Sequence, residues 1–145
     1  MMPRHFGHLV LRTLSPVLMV GLGLSLAIPT SANDWPEWRG ERRDAVWTET
    51  GIVETLPTEL NVKWRLPINS GYSGPVVADG RVFITDWAED PESRTMDGTE
   101  RALAIDEQTG EILWTREWPT TYRMLMVSYA IGPRATPTVD GDRVY

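Results

Sequence analysis

The chain lacks cysteine entirely, and its only two histidines are His5 and His8. Without cysteine, its own residues can form neither a disulfide bond nor a c-type haem attachment. Both histidines lie within residues 1–32, which have the pattern of a cleaved signal peptide. The mature chain from Asn33 would therefore contain no imidazole and no thiol. That excludes Ser–His and Cys–His nucleophiles and the usual His/Cys zinc site within this chain.

A hydrophobic run long enough to cross a membrane is also missing. The apolar stretch at residues 14–28 is about 15 residues long, short of the roughly 20 that a spanning helix needs. It follows Arg4 and Arg12 and precedes Thr30-Ser31-Ala32, whose small side chains suit a signal peptidase. The pattern predicts a secretory signal peptide over residues 1–32, with a retained membrane anchor as the alternative. The cleaved protein is then expected in the periplasm or cell envelope, without a stable membrane anchor.

Positive charge is scarce as well. The whole chain has 14 Lys and Arg against 20 Asp and Glu. Loss of Arg4 and Arg12 with the signal peptide leaves 12 basic against 20 acidic side chains, a net charge of −8. Such a surface repels phosphate backbones and anionic lipid, which argues against nucleic acid or membrane as partners. All seven tryptophans lie in the mature part, which favours a packed fold over a disordered one.

Residues 33–61 show little periodicity and are predicted to form an irregular N-terminal entry segment, with room for one short helical turn. From residue 62, short runs of β-forming residues are separated by turns that contain glycine, which predicts strands. The predicted strands cover residues 62–66, 75–78, 81–85, 101–105 and 111–114. Residues 118–129 fit either a helix or a strand.

The polar stretch at residues 86–100 is predicted to be a loop or insertion. Its acidic side chains could suggest a cation site, but they lack the regular ligand spacing of a calcium-binding loop. A solvated insertion is therefore the favoured interpretation. The acidic residues concerned are Asp86, Glu89, Asp90, Glu92 and Asp97.

One nine-residue pattern occurs twice, at residues 75–83 and again at residues 137–145, an offset of 62. Both copies have Pro first, Val third, Arg seventh, Val eighth and an aromatic residue ninth. A stretch of small residues precedes each copy, at residues 70–74 and 132–136. Any two hairpins with Asp-Gly turns look somewhat alike, but five shared positions favour a true repeat.

Four short antiparallel strands per unit, with glycine turns and periodic aromatic residues, are typical of a β-propeller blade. The predicted fold class is therefore all-β, with a first blade at residues 62–118 and the truncated start of a second at residues 119–145. A propeller closes with at least four blades of roughly 40–50 residues each. About two blades follow the signal peptide. The chain is therefore expected to be the N-terminal part of a longer propeller: a fragment, a truncated gene model or a frame-shifted product.

Three stretches of the sequence resemble PQQ-type β-propellers, which are named after pyrroloquinoline quinone. The most specific is Ala104-x-Asp106-x-x-Thr109-Gly110-Glu111-x-x-Trp114, which resembles the tryptophan-docking motif of that family. Residues 34–44, which begin Asp34-Trp35-Pro36-x-Trp38-Arg39-Gly40, resemble the segment before the first blade in exported bacterial members. Residues 70–75 resemble the entry to their first inner strand.

The docking motif also has a physical interpretation. Gly110 supplies the positive φ that closes the turn, and Asp106 and Thr109 can hydrogen-bond turn amides. Trp114 offers a large apolar face that can pack on the next blade. Trp64 is the candidate for the equivalent residue on the entry strand. These roles are structural, so Ala104, Asp106, Thr109, Gly110 and Trp114 are proposed as a docking site.

The resemblance implies one of two functions. Some members of the family are non-catalytic, such as the lipoprotein of the β-barrel assembly machine. Others are quinoprotein alcohol dehydrogenases that use PQQ and Ca²⁺. The favoured interpretation is a non-catalytic interaction or assembly scaffold in the cell envelope, with further propeller blades or proteins as partners. The alternative is a fragment of a PQQ- and calcium-dependent dehydrogenase. In the enzymes the cofactor and metal residues lie in later blades, so no catalytic, cofactor or metal residue is assigned here.

Overall fold

The computed structural model describes residues 33–123 and 131–145. Within these ranges the regular structure is all-β, as predicted. Four strands form one antiparallel sheet in sequential order: β1 (Val76–Ala78), β2 (Arg81–Glu89), β3 (Asp97–Asp106) and β4 (Ile112–Thr121). A second, two-stranded sheet pairs β5 (Val139–Asp140) with β6 (Arg143–Val144). Nowhere in the described part of the chain is there a helix long and apolar enough to cross a membrane. The predicted signal peptide lies outside the described residues.

The polar stretch at residues 86–100 is mostly strand, so the prediction of a loop was wrong. β2 continues to Glu89 and β3 begins at Asp97, which leaves a connection of residues 90–96. Asp86 lies directly opposite Arg101, which neutralises its charge across the ladder. Gly98 also matters, since a Cβ there would lie 2.3 Å from the carbonyl oxygen of Ala88 and 2.5 Å from Nε1 of Trp87. Its missing side chain lets the buried Trp87 indole lie against β3.

The segment before β1 and the stretch at residues 118–129 had less certain secondary structure in the sequence. Residues 62–66 join no sheet, so the strand predicted there was wrong, and residues 47–60 contain no helical turn. The ambiguous stretch begins as strand, because β4 runs to Thr121, whereas residues 124–130 lie outside the described part.

β4 also contains an irregularity in its pairing with β3. Ala104 pairs with Trp114 and Ile105 with Ile112, so Leu113 is an extra residue in the ladder.

The two copies of the nine-residue pattern form hairpins of the same register. Val77 pairs with Val82 in the first, and Val139 pairs with Val144 in the second. Each hairpin closes with a two-residue loop. Asp79 and Gly80 both have positive φ, as the type I′ turn requires, and Gly141 has a φ of 57° in the second loop.

The small core lies where the second hairpin meets the first sheet. Val76, Ala78, Phe83 and Ala104 are buried together, and Trp114, Val139 and Val144 pack against them. Phe83 and Trp114 have ring centroids 5.9 Å apart. Side chains from both copies of the repeat therefore bury one another, which neither hairpin could achieve alone.

The small-residue stretches before the two hairpins also run side by side. The backbone N–H of Tyr72 donates to the carbonyl oxygen of Pro133 at 2.8 Å, and that of Gly74 donates to Oγ1 of Thr136 at 3.2 Å. A Cβ on Gly132 would lie 2.6 Å from the carbonyl oxygen of Ser70. Gly74 and Thr136 are 62 residues apart, the same offset as the repeat. Equivalent positions of the two units therefore touch.

Candidate functional site: the tryptophan-docking turn

The turn between β3 and β4 is closed by short-range hydrogen bonds. The carboxylate of Asp106 accepts from the backbone N–H groups of Thr109 at 2.8 Å and Gln108 at 2.9 Å. The N–H of Gly110 donates to the Asp106 carbonyl oxygen, and the N–H of Glu111 donates to Oγ1 of Thr109. Hydrogen bonds from the Thr109 backbone and side chain, followed by that from the Gln108 backbone, lower the pKa of Asp106. The turn is thus held rigid by its own side chains.

Trp64 from the irregular segment docks on this turn. Its indole N–H donates to the carbonyl oxygen of Glu107 at 2.8 Å. The indole also lies over Gly110, since a Cβ there would come within 2.7 Å of Cδ2 of Trp64. Gly110 therefore has two functions: it adopts a φ of +76°, and it leaves the surface on which the indole rests.

Ala104 and Trp114, the other two motif residues, lie elsewhere. They are paired across β3 and β4, in the core that faces the second hairpin. Trp114 also borders an apolar cavity of about 360 Å³ between the sheet and residues 133–145, together with Pro137 and Val144. The motif therefore divides into a turn that receives Trp64 and a tryptophan directed at the second repeat unit.

A buried ion pair connects β2, β3 and the segment before β1. Asp86 is 0% exposed and accepts two hydrogen bonds from Arg101, from Nε at 2.8 Å and from Nη2 at 2.6 Å. It also accepts the backbone N–H of Asn69 at 2.7 Å. The bond from Arg101 to Asp86 is the main reason why the pKa of Arg101 is raised. The prediction of a solvated acidic insertion was therefore wrong for Asp86.

The other acidic residues of the former insertion have different environments. Glu89 and Glu92 are exposed, and the carboxylate of Asp90 accepts the backbone N–H of Glu92. Asp97 accepts hydroxyl hydrogen bonds from Thr121 at 2.5 Å, Thr95 at 2.6 Å and Ser93 at 2.9 Å. Among residues 33–123 and 131–145, no group of three or more carboxyl, imidazole or thiol side chains could hold a metal ion.

The hydroxyl groups that bind Asp97 are expected to make the stability of the fold depend on pH in the acid range. Hydrogen bonds from Thr121, Thr95 and Ser93 lower the pKa of Asp97 to about 2 from an ordinary 3.8. A depressed pKa contributes stability that is fully present above the ordinary pKa and is lost as pH falls through the folded one. Asp97→Asn should therefore be less stable than wild type at pH 7, and the gap should shrink as pH falls from about 4 to about 2.

Thermal unfolding at a series of pH values measures that gap. Asp142→Asn is the control, because its carboxyl is 96% exposed at the tip of the second hairpin. This variant should reproduce the wild-type curve. A gap between wild type and Asp97→Asn that stays constant from pH 7 to pH 2 would contradict the assignment.

At the far end of β3, Glu100 orients two aromatic side chains. Its carboxylate accepts the Tyr122 hydroxyl and, at 2.7 Å, the indole N–H of Trp118. Burial and the bond to Glu100 both raise the pKa of Tyr122. The Tyr122 ring meets Trp87 edge to face, with centroids 5.2 Å apart. These contacts tie the segment after β4 back to the sheet.

Sequence reasoning found the turn but missed the acceptor of the Trp64 indole, because that acceptor is a backbone carbonyl group. It also missed the pairing of Asp86 with Arg101. Trp87 and Ala88, two apolar residues shortly after the predicted strand at residues 81–85, could have indicated the longer strand. Searches with the whole chain found no matching family model, no matching curated protein and no matching solved structure.

Proposed function

We propose that the chain is the N-terminal part of an exported PQQ-like β-propeller repeat protein that acts as a non-catalytic interaction or assembly scaffold in the cell envelope. The observation that carries the proposal is the docking of Trp64 on the turn at residues 106–110. It joins an irregular segment to the turn between β3 and β4 of the four-stranded sheet, as expected if Trp64 is equivalent to a docking tryptophan. Trp114 lies on β4, at the edge of the sheet, and packs toward the second hairpin.

The contact between equivalent positions supports a rotational arrangement of the units. Gly74 and Thr136 are one repeat apart and are hydrogen-bonded. Units that are stacked by translation keep equivalent positions a fixed distance apart along their whole length. Units that are arranged radially bring their inner segments together and spread their outer strands apart. The proximity of residues 70–74 to residues 132–136 therefore favours a radial arrangement.

The surface of the entry segment supports a role in protein interaction. Between residues 46 and 68 several large apolar side chains are mostly exposed, including Leu56 at 70% and Ile52 at 61%. Val53 and Leu60 are similarly exposed. Apolar side chains that are gathered in one exposed stretch mark protein-binding surfaces more often than a scattered distribution does. We infer that this stretch contacts a partner protein.

Site-specific photocrosslinking in the native cells tests the proposal. A photoreactive amino acid at Ile52 or Leu56 should yield one discrete adduct in the envelope fraction, whereas the same probe at exposed Arg116 on β4 should yield none. Adducts of equal yield at all three positions would contradict a specific surface. Recovery of the protein in the cytoplasm would contradict export.

Cofactor binding distinguishes the scaffold from the dehydrogenase. The purified full-length protein should show no saturable change in PQQ absorbance with Ca²⁺ present. Calcium-dependent, stoichiometric PQQ binding would overturn the scaffold function and support the enzyme.

A further inference from the structure

The entry segment forms a cavity of its own, apart from the docking turn. It measures about 660 Å³, and the described residues that line it all lie between Asn33 and Thr48. This volume falls in the range of small-molecule sites, about 300–1,000 Å³. The cavity contains aromatic, carboxylate, guanidinium and amide groups, and the scaffold function uses none of them.

A stacked pair of tryptophans provides the aromatic wall. Trp35 and Trp47 have ring centroids 5.2 Å apart and planes inclined by 23°. Trp35 is anchored to the sheet, since its backbone N–H donates to the carbonyl oxygen of Val77 at 2.8 Å and its carbonyl oxygen accepts the N–H of Val77. It also lies against Gly40, where a Cβ would come within 3.0 Å of the indole.

Trp47 is held in place but remains accessible. Its indole N–H donates to Oε2 of Glu49 at 3.1 Å, and the stack on Trp35 supports the ring. The side chain is nevertheless 47% exposed. An indole that is oriented by a hydrogen bond and still accessible is a preorganised surface for a ligand, because no rotamer has to be ordered on binding.

The charged residues that line the cavity are predominantly negative. Asp34, Glu41 and Asp44 line the cavity, and Arg42, held by Asp44 at 3.2 Å, is the one cation among the described residues that line it. That ion pair leaves Asp34 and Glu41 to set the sign of the potential. The face of an indole attracts cations through its quadrupole, and tryptophan does so most strongly of the aromatic residues. The aromatic wall and the carboxylates therefore favour the same class of ligand.

We propose that this cavity binds an organic ammonium ion, with Trp47 as the aromatic face and Asp34 and Glu41 as counter-charges. A free quaternary ammonium compound and the side chain of a lysine-rich peptide share this chemistry. The site is independent of the docking turn. The proposed ligand site and the proposed scaffold function can therefore be tested independently of each other.

Ligand titrations followed by NMR test the proposal. The indole N–H resonance of Trp47, identified by its loss in Trp47→Phe, should shift saturably with choline or with a trilysine peptide. The neutral carbon analogue of choline should leave it unmoved. A shift with choline alone supports a small-molecule site, and a shift with the peptide alone supports a basic peptide. Equal shifts with choline and its neutral analogue, or shifts only with neutral saccharides, would overturn the proposal.

Matched variants separate the cavity from the rest of the entry segment. Trp47→Ala should weaken binding of the active cation roughly two- to thirty-fold, the range of a cation–π contact. Glu41→Gln should weaken it as well, and increasingly at low salt, because it removes an exposed charge without altering the packing. Trp38→Ala is the control, since Trp38 is 67% exposed and lies outside the cavity. Unchanged affinity in Glu41→Gln and Trp47→Ala would overturn the proposal.

Discussion

Replacing Gly110 by alanine should destabilise the protein much more than the same replacement at Gly80, although both glycines have almost the same backbone conformation. Their φ angles are +76° and +70°, so a Cβ costs either turn about 1–2 kcal/mol. Among the residues that the structure describes, nothing lies within 4 Å of that Cβ at Gly80, whereas at Gly110 it would lie 2.7 Å from Cδ2 and 2.8 Å from Cγ of Trp64. Displacing the indole should add about 1–3 kcal/mol.

Removal of Trp64 should reveal the origin of that difference. Trp64→Ala loses the indole contact and the bond to the Glu107 carbonyl oxygen, at a cost of about 3 kcal/mol for a half-buried ring. In that background Gly110→Ala has no ring to displace, so it should cost only what Gly80→Ala costs. Urea unfolding followed by circular dichroism gives the free energies of unfolding of wild type, the three single variants and the double variant without relying on tryptophan fluorescence. An equal cost of Gly110→Ala with and without Trp64 would contradict docking.

The second large effect is expected at the buried ion pair. Arg101→Met should lower the free energy of unfolding by about 3–5 kcal/mol, because it leaves the carboxylate of Asp86 buried without its counter-charge. Asp86 is 0% exposed and would keep only the backbone N–H of Asn69 as a donor. Arg116→Met, on exposed surface of β4, is the matched control and should change stability by less than about 0.5 kcal/mol.

A double variant distinguishes the loss of pairing from the loss of packing. Replacing both partners, as in Asp86→Leu with Arg101→Met, removes the unpaired charge, and such replacements are often neutral or stabilising. We therefore expect the double variant to be more stable than Arg101→Met alone. The recovery should be incomplete, because the N–H of Asn69 loses its acceptor. Arg101→Met and the double variant both lack the arginine stem, so a double variant that is no more stable than Arg101→Met would contradict the cost assigned to the unpaired carboxylate.

The features that could be predicted are those whose causes are local. The turn at Asp79-Gly80 needs two residues that tolerate positive φ, and the chain places Asp and Gly there. The turn at residues 106–110 needs side chains that bond their own backbone, and Asp106 and Thr109 do so over two or three residues. Such interactions are complete within a few positions, so the pattern of residue types is enough to find them.

The features that could not be predicted depend on partners far along the chain. Residues 62–66 alternate as a strand does, yet no strand edge pairs with them, and Trp64 instead binds a carbonyl group 43 residues away. Residues 86–100 were expected to form a solvated loop because they are polar and include six carboxylates. The polarity of this stretch does not prevent strand formation, because Arg101 lies opposite Asp86 and pairs with its carboxylate.

By itself the sequence determined the all-β class, the turns at residues 79–80 and 106–110, the repeat at an offset of 62 and the absence of thiol and imidazole side chains after residue 32. These follow from residue types and from interactions between near neighbours. Only the tertiary structure decided that Trp64 rests on Gly110, that Asp86 is buried against Arg101, and that Trp35 and Trp47 form one wall of a cavity. The physical reason is that burial and charge pairing depend on which distant segments of the chain come into contact. Local patterns of residue types do not specify those tertiary contacts.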